Sequence, residues 1–385
     1  MDFSKVTNFL DSLHKVGIPG ADLAIYLKGN EVYRHQTGVA DIDTGRPISR
    51  DTIYQFYSMT KVITCVSALR YYEEGVFKLD DPVYEYLPEF KDMEVRQVLD
   101  NGEVRTKPAE NPIRIVDLFT MTSGLTYNYL ENLRELDAKT SGNFTLKEFT
   151  EALAKDPLFF EPGTRWEYGV SHDVLGRLIE VLSGKTLGEY FHDNIFVPLG
   201  MEDTFFRLPK EKEARMASHY KYDEETKTHT KPDFTPLRYD LDFKYESGGG
   251  GLLSTVDDYA KFANALCAGG TSVSANNTYY YHIISNATIE LMRTNHLDKA
   301  KMENYSGTWS HHSGYGYGLG VRTMVDKAAG GSNGSIGEYG WSGMAGTFLL
   351  IDPAFDLTYV YAQQLIPSKE EYVAPRLRNV VYGCL

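Results

Sequence analysis

The sequence predicts an α/β fold in which an antiparallel sheet, flanked by N- and C-terminal helices, carries a mostly helical inserted domain. Three observations predict it. Strand-like runs lie near both ends, at 21–41 and from about 315 onward. Helix-patterned segments open and close the chain. Between them, residues 80–240 are loop-rich and helical, punctuated by seven prolines from Pro82 to Pro198. The expected division is a sheet domain at 1–79 and 241–385, an inserted domain at 80–240, and a cleft between them that holds any active site.

In order along the chain, Phe3, Val6, Phe9, Leu10, Leu13 and Val16 recur at helical spacing and predict an amphipathic helix laid on a sheet. Residues 21–41 read as two strands turning at Gly29-Asn30. Residues 59–74 are apolar nearly all round and are followed by Gly75, as in a buried helix with a glycine C-terminal cap. His172–Ser183 carries a helical apolar stripe ending before Gly184. Thr255 and Asp258 mark the N-terminus of a helix running through Leu266. The stretches 315–323, 346–352 and 357–364 read as strands, and 369–382 as a helix despite Pro375.

Composition narrows the partners. With 39 basic and 53 acidic side chains in 385 residues, the net charge is −14. That offers no footprint for nucleic acid or an anionic membrane. No apolar run is long enough to span a bilayer. Three scattered cysteines and an opening segment unlike a signal peptide lead to a cytoplasmic expectation. No cofactor is called for, and the partner is a small-molecule substrate.

Several motifs are decoys. Gly330-Gly-Ser332-Asn-Gly334 satisfies G-x-S-x-G, but its glycine-rich flanks cannot supply the strand and helix of a nucleophile elbow. No histidine follows His312, so the triad order fails and Ser332 reads as a loop residue. The only adjacent histidines, His311-His312, sit in a Gly/Ser-rich stretch and read as solvated loop side chains, so no metal site is expected.

S-x-x-K occurs three times, at Ser12/Lys15, Ser58/Lys61 and Ser218/Lys221. On a helix this spacing places the lysine one turn from the hydroxyl on the same face. A buried lysine can lose its proton near neutrality and serve as base. Only Ser58 opens a strongly apolar helix, where free backbone N–H groups could hold an oxyanion. The motif alone fits a plain N-cap serine as well.

The surrounding text decides between them. Residues 51–90 resemble the serine β-lactamase-like family of class C β-lactamases, penicillin-binding proteins and family VIII carboxylesterases. The resemblance continues through IRIVDLFTMTSGL (113–125), 161–191, 198–206, GGGGLLSTVDDYAKFANALCAGG (248–270), YGYGLG (315–320) and YGWSGMAGTFLLIDP (339–353). It is thinnest at 207–245 and 271–312. It implies the β-lactamase/transpeptidase-like fold, with Ser58 the acyl-forming nucleophile and Lys61 the base. Tyr168 matches the tyrosine of the Y-x-N motif and would shuttle protons. Val170 stands where the motif's asparagine would meet substrate. K-T-G is absent; Trp341-Ser342-Gly343 fills its place, and the N–H of Met344 would pair with that of Ser58 as oxyanion hole.

Without the asparagine and lysine that greet a substrate carboxylate, the resemblance implies a serine hydrolase for neutral acyl groups. A carboxylesterase acting on short or medium acyl esters is the leading expectation. A β-lactamase, D-aminopeptidase or other amide hydrolase, and an acyltransferase use the same site. A penicillin-binding or sensing protein that acylates without turnover is the reading of another class. The tyrosines 127, 129, 220, 222, 239 and 245 are candidates to line the pocket.

Overall fold

The structure, a computed structural model, describes residues 1–232, 238–273 and 280–385. Residues 233–237 and 274–279, inside the two stretches of thinnest resemblance, lie outside the described residues.

The first helix, α1 (Ser4–Asp11), leads into the hairpin β1 (Gly20–Leu27) and β2 (Asn30–Asp41), with a short β3 (Arg46–Pro47) beside β2. The buried helix α2 spans Thr60–Glu73, α3 spans Ser171–Ser183 and α4 spans Val256–Cys267. The closing strands are β4 (Tyr315–Tyr317), β5 (Arg322–Met324), β6 (Tyr339–Gly340), β7 (Phe348–Asp352) and β8 (Leu357–Ala362), followed by α5 (Glu370–Tyr382). The eight strands form one antiparallel sheet in the order β4-β5-β6-β7-β8-β1-β2-β3. Its centre joins the two ends of the chain, with Ala24 opposite Val360.

Strand alternation divides the core. Leu23, Ile25, Leu350 and Tyr359 face Val6 and Leu10 of α1 and Val373, Leu377 and Val381 of α5. Ala24, Leu349, Ile351 and Val360 face the other way, into the larger core that holds Tyr259 and Phe262 of α4. An eight-residue helix such as α1 is marginal alone, so this burial, about 1.5–3 kcal/mol per large apolar side chain, holds it in place. From Thr60 to Leu69 every side chain of α2 is buried, as its all-round apolar pattern predicts. Gly75 ends the helix at φ +71°.

The stretch 80–240 is less uniformly helical than expected. It also holds two hairpins, Glu94–Val98 with Val104–Pro108 and Lys221–Asp223 with Thr228–Thr230. The second hairpin returns to the sheet, where Tyr220 is buried among the residues beneath α1 and α5.

Candidate active site

Ser58 stands on a single 3-10 turn, Tyr57–Met59, that runs directly into α2. The chain arrives from the short strand Tyr54–Gln55, paired with Leu253–Ser254, and reverses at Tyr57, whose φ is +46°. A left-handed aromatic residue costs of order 1–3 kcal/mol and persists only where its surroundings fix it. Here they do. The Tyr57 hydroxyl hydrogen-bonds His219 Nε2 at 3.0 Å. One residue earlier, the Phe56 carbonyl accepts from Thr347 Oγ1 at 3.1 Å.

One turn on, Lys61 is wholly buried. Its Nζ donates to Ser58 Oγ at 3.1 Å, to the Tyr127 hydroxyl at 3.1 Å and to the Gly249 carbonyl at 2.6 Å. Three donors meet three acceptors, the complement of an ammonium. Gly249 is itself held by its N–H on Asp173 Oδ1 at 3.2 Å, and that carboxylate also accepts from Tyr245 and Ser247. The glycines at 248 and 249 are required for this approach. A Cβ on Gly248 would lie 2.5 Å from the His172 carbonyl, and one on Gly249 2.6 Å from Asp173.

Tyr168 completes the cluster. Lys61 Nζ lies 4.6 Å from its ring centroid, and the rings of Tyr127 and Tyr168 meet edge-on at 5.6 Å. The Tyr168 hydroxyl accepts from Trp341 Nε1 at 3.1 Å. Burial pulls Lys61 down, but the phenols of Tyr127 and Tyr168 outweigh it and hold the lysine above its ordinary value. Burial pushes the Tyr127 phenol up to about 12 against the pull of Lys61. Lys61 therefore rests as an ammonium. This differs from the expectation of a lysine brought down by burial, because its neighbours are phenols rather than a second cation.

The opposite wall is the segment Trp341-Ser342-Gly343 that follows β6, with Ser342 bridged to Phe348. Gly343 N–H bonds the Thr347 carbonyl at 2.7 Å. A Cβ on Gly343 would fall 2.3 Å from the Phe56 carbonyl, so only glycine lets this segment close on the turn bearing Ser58. Met344 follows at the cavity edge, 45% exposed. Between the walls lies a cavity of about 590 Å³ with Tyr57, Tyr127, Tyr168, Trp309 and Trp341 in its lining. Among the described residues its charged lining side chains are Asp173 and Glu370, both acidic.

The Beta-lactamase family profile matches residues 6–381. The chain belongs to the beta-lactamase family. Esterase EstB of Burkholderia gladioli is 28% identical over 369 residues, covering 91% of this chain and 87% of EstB. Monacolin J acid methylbutanoyltransferase of Aspergillus terreus is 27% identical over 379 residues, covering 94% of this chain and 90% of that protein. A solved family VIII carboxylesterase shares the fold, with a TM-score of 0.73, 21% identity, and coverage of 100% and 97% of the two chains. The chain is thus a serine hydrolase of the beta-lactamase family, with the antiparallel sheet, terminal helices and helical insert that its sequence implied.

Within this beta-lactamase-family fold, Ser58, Lys61, Tyr168, Trp341, Ser342, Gly343 and Met344 gather around one cavity. Val170 does not. It is 1% exposed, packs in the core at the N-cap of α3 and lies outside the cavity lining. Of the six tyrosines, 127, 129 and 245 line the cavity, while 220, 222 and 239 pack elsewhere. Ser332 is remote from the cluster, its Oγ accepting from Gly334 N–H in a loop near Tyr382. His311 and His312 are not solvated. His312 is 3% exposed, packed against the rings of Tyr305, Trp309 and Trp341. Together with Glu370 they are the grouping among the described residues able to hold a metal ion. Tyr127 as a partner of Lys61 escaped the sequence reading because no motif spacing ties residue 127 to residue 61; its only signal is its place two residues after TSGL.

Proposed function

We propose that the chain is a carboxylesterase that forms an acyl-enzyme on Ser58. The observation that carries this is Lys61 Nζ, wholly buried and within 3.1 Å of both Ser58 Oγ and the Tyr127 hydroxyl. Once the cluster has lost one proton, Lys61 takes the Ser58 proton as Oγ bonds to the ester carbonyl carbon. The backbone N–H groups of Ser58 and Met344 receive the oxyanion. Collapse breaks the bond to the alkoxide, which leaves with the proton relayed through the Tyr127 and Tyr168 hydroxyls. Water then bonds through its oxygen to the acyl carbon, and its proton passes back along the same path to Ser58 Oγ as the acyl–Oγ bond breaks, freeing the serine and releasing the acid.

The acidic and aromatic lining favours a neutral acyl group with an apolar body. It also disfavours a β-lactam, whose carboxylate would meet Trp341 in place of a lysine. Hydrolysis of p-nitrophenyl butyrate by the wild type and by Ser58→Ala tests the reading. Turnover lost in the variant, with an acyl mass adduct on Ser58 in the wild type, is the expected result. Equal rates in both proteins would overturn it.

A second reading is acyl transfer to an alcohol. Its support is the ring-lined cavity, which disfavours bulk water, and the 27% identical relative named as a methylbutanoyltransferase. Adding acceptor alcohols and measuring ester against acid product separates the two. An amide panel and a search for a burst without steady turnover address the amide-hydrolase and non-turnover alternatives.

A further inference from the structure

We propose that His311, His312 and Glu370 form a binding site for a divalent transition metal of the zinc class, on the wall of the Ser58 cavity. The two histidines occupy the 3-10 turn Ser310–His312 just before β4, and Glu370 is the first residue of α5. One ligand atom from each lies within 4.8 Å of the others, and His311 Nε2 stands 3.6 Å from Glu370 Oε1. A tetrahedral zinc bonded at about 2.1 Å holds its ligand atoms ~3.4 Å apart, so small side-chain rotations close the site.

The need for a ligand is visible in the unmade bonds. All four ring nitrogens of His311 and His312 are buried without a hydrogen-bond partner among the described residues. A buried polar atom left unpaired is destabilising, and native structures tolerate few of them. Here four cluster beside a carboxylate. Glu370 has no lysine or arginine in ion-pair contact among the described residues; His311 is its only partner of that kind. The neighbouring Arg378 is directed instead to Tyr315 and Glu338. Two imidazoles and one carboxylate are a donor set suited to zinc and similar borderline ions.

All three side chains line the cavity, so an ion can enter through it and keep one coordination position open to it. Such an ion would also tie the start of α5 to the turn that carries the histidines. This proposal does not depend on the chemistry at Ser58.

The test uses the full chain, tag removed and stripped with chelator, then loaded with zinc or cobalt(II) and desalted. One zinc per chain, and visible d–d bands in the cobalt form, are expected. His312→Ala and Glu370→Gln should each weaken zinc binding by more than the ~10–100-fold that losing an outer-shell partner costs. Ser58→Ala should bind as the wild type does, which separates this outcome from the fate of the esterase reading. Substitution of the exposed His192 should change nothing. If His312→Ala fails to fold by thermal melt, Glu370→Gln, at the edge of the site, decides. No zinc retained by the wild type, or equal retention by the Glu370→Gln variant, would overturn the proposal.

Discussion

The indole Nε1 of Trp341 donates to the hydroxyl of Tyr168 across 3.1 Å. Trp341 therefore reaches Tyr168 and holds its hydroxyl in place. Trp341→Phe removes this bond while keeping much of the ring. At about 1 kcal/mol for a neutral hydrogen bond, kcat should fall roughly 5- to 10-fold with little change in KM. A change confined to KM in steady-state kinetics would show that Trp341 serves binding alone.

Tyr127→Phe strands one N–H of the buried Lys61. Leaving such a donor unmatched costs about 1–3 kcal/mol, so a fall in kcat/KM of roughly 5- to 150-fold is expected. Comparison with Tyr168→Phe ranks the two phenols. Full activity in Tyr127→Phe would remove it from the proton path.

The phenols hold Lys61 above its ordinary value, so the resting cluster carries one proton more than the active form. The reactive fraction rises as that proton leaves. kcat/KM for a neutral ester should increase with pH above neutrality, approaching tenfold per unit before any plateau. A profile flat from neutral to alkaline pH would contradict Lys61 as the base.

Burial, and then Lys231, push His219 down to about 4 from an ordinary 6.5. Below 6.5 the unfolded chain binds a proton there that the folded one refuses until about 4. Stability is therefore lost as pH falls through that window, by up to ~1.4 kcal/mol per unit for one group. His219→Gln keeps a partner for Tyr57 and should lose less stability between pH 6.5 and 4.5 in urea titrations. An identical pH dependence in the two proteins would refute this.

Much of this was legible in the sequence, for identifiable reasons. Apolar periodicity reports burial, and it located α1, α2, β7 and β8; the run 315–323, read as one strand, instead turns back at Gly318–Gly320 as the hairpin of β4 and β5. Periodicity also singled out Ser58 among three S-x-x-K matches, because only that serine opens a strongly apolar helix. The hairpin of Glu94–Val98 and Val104–Pro108 escaped because its strands are mostly exposed and lack a buried face, although Asn101-Gly102, with Gly102 at φ +81°, is an ordinary turn signal. Val170 was misplaced because motif position says where a residue stands and not which way its side chain turns. Tyr127 and Glu370 reach the cavity through tertiary returns of the chain, which no local spacing encodes.

The pairing of β1 with β8 has a consequence for how the molecule is made. Asp22 through Leu27 take their partners from Leu357 through Ala362, about 330 residues further along the chain. A nascent chain displays β1 with one edge unpaired until those distant partners have been synthesised. Sheet closure must then bridge that long separation, an arrangement that slows folding and leaves an intermediate open to aggregation. Vectorial, start-to-finish folding is closed to this topology, and holding β1 harmless in the interval falls to α1, to the early hairpin with β2 and to whatever chaperones meet the emerging chain.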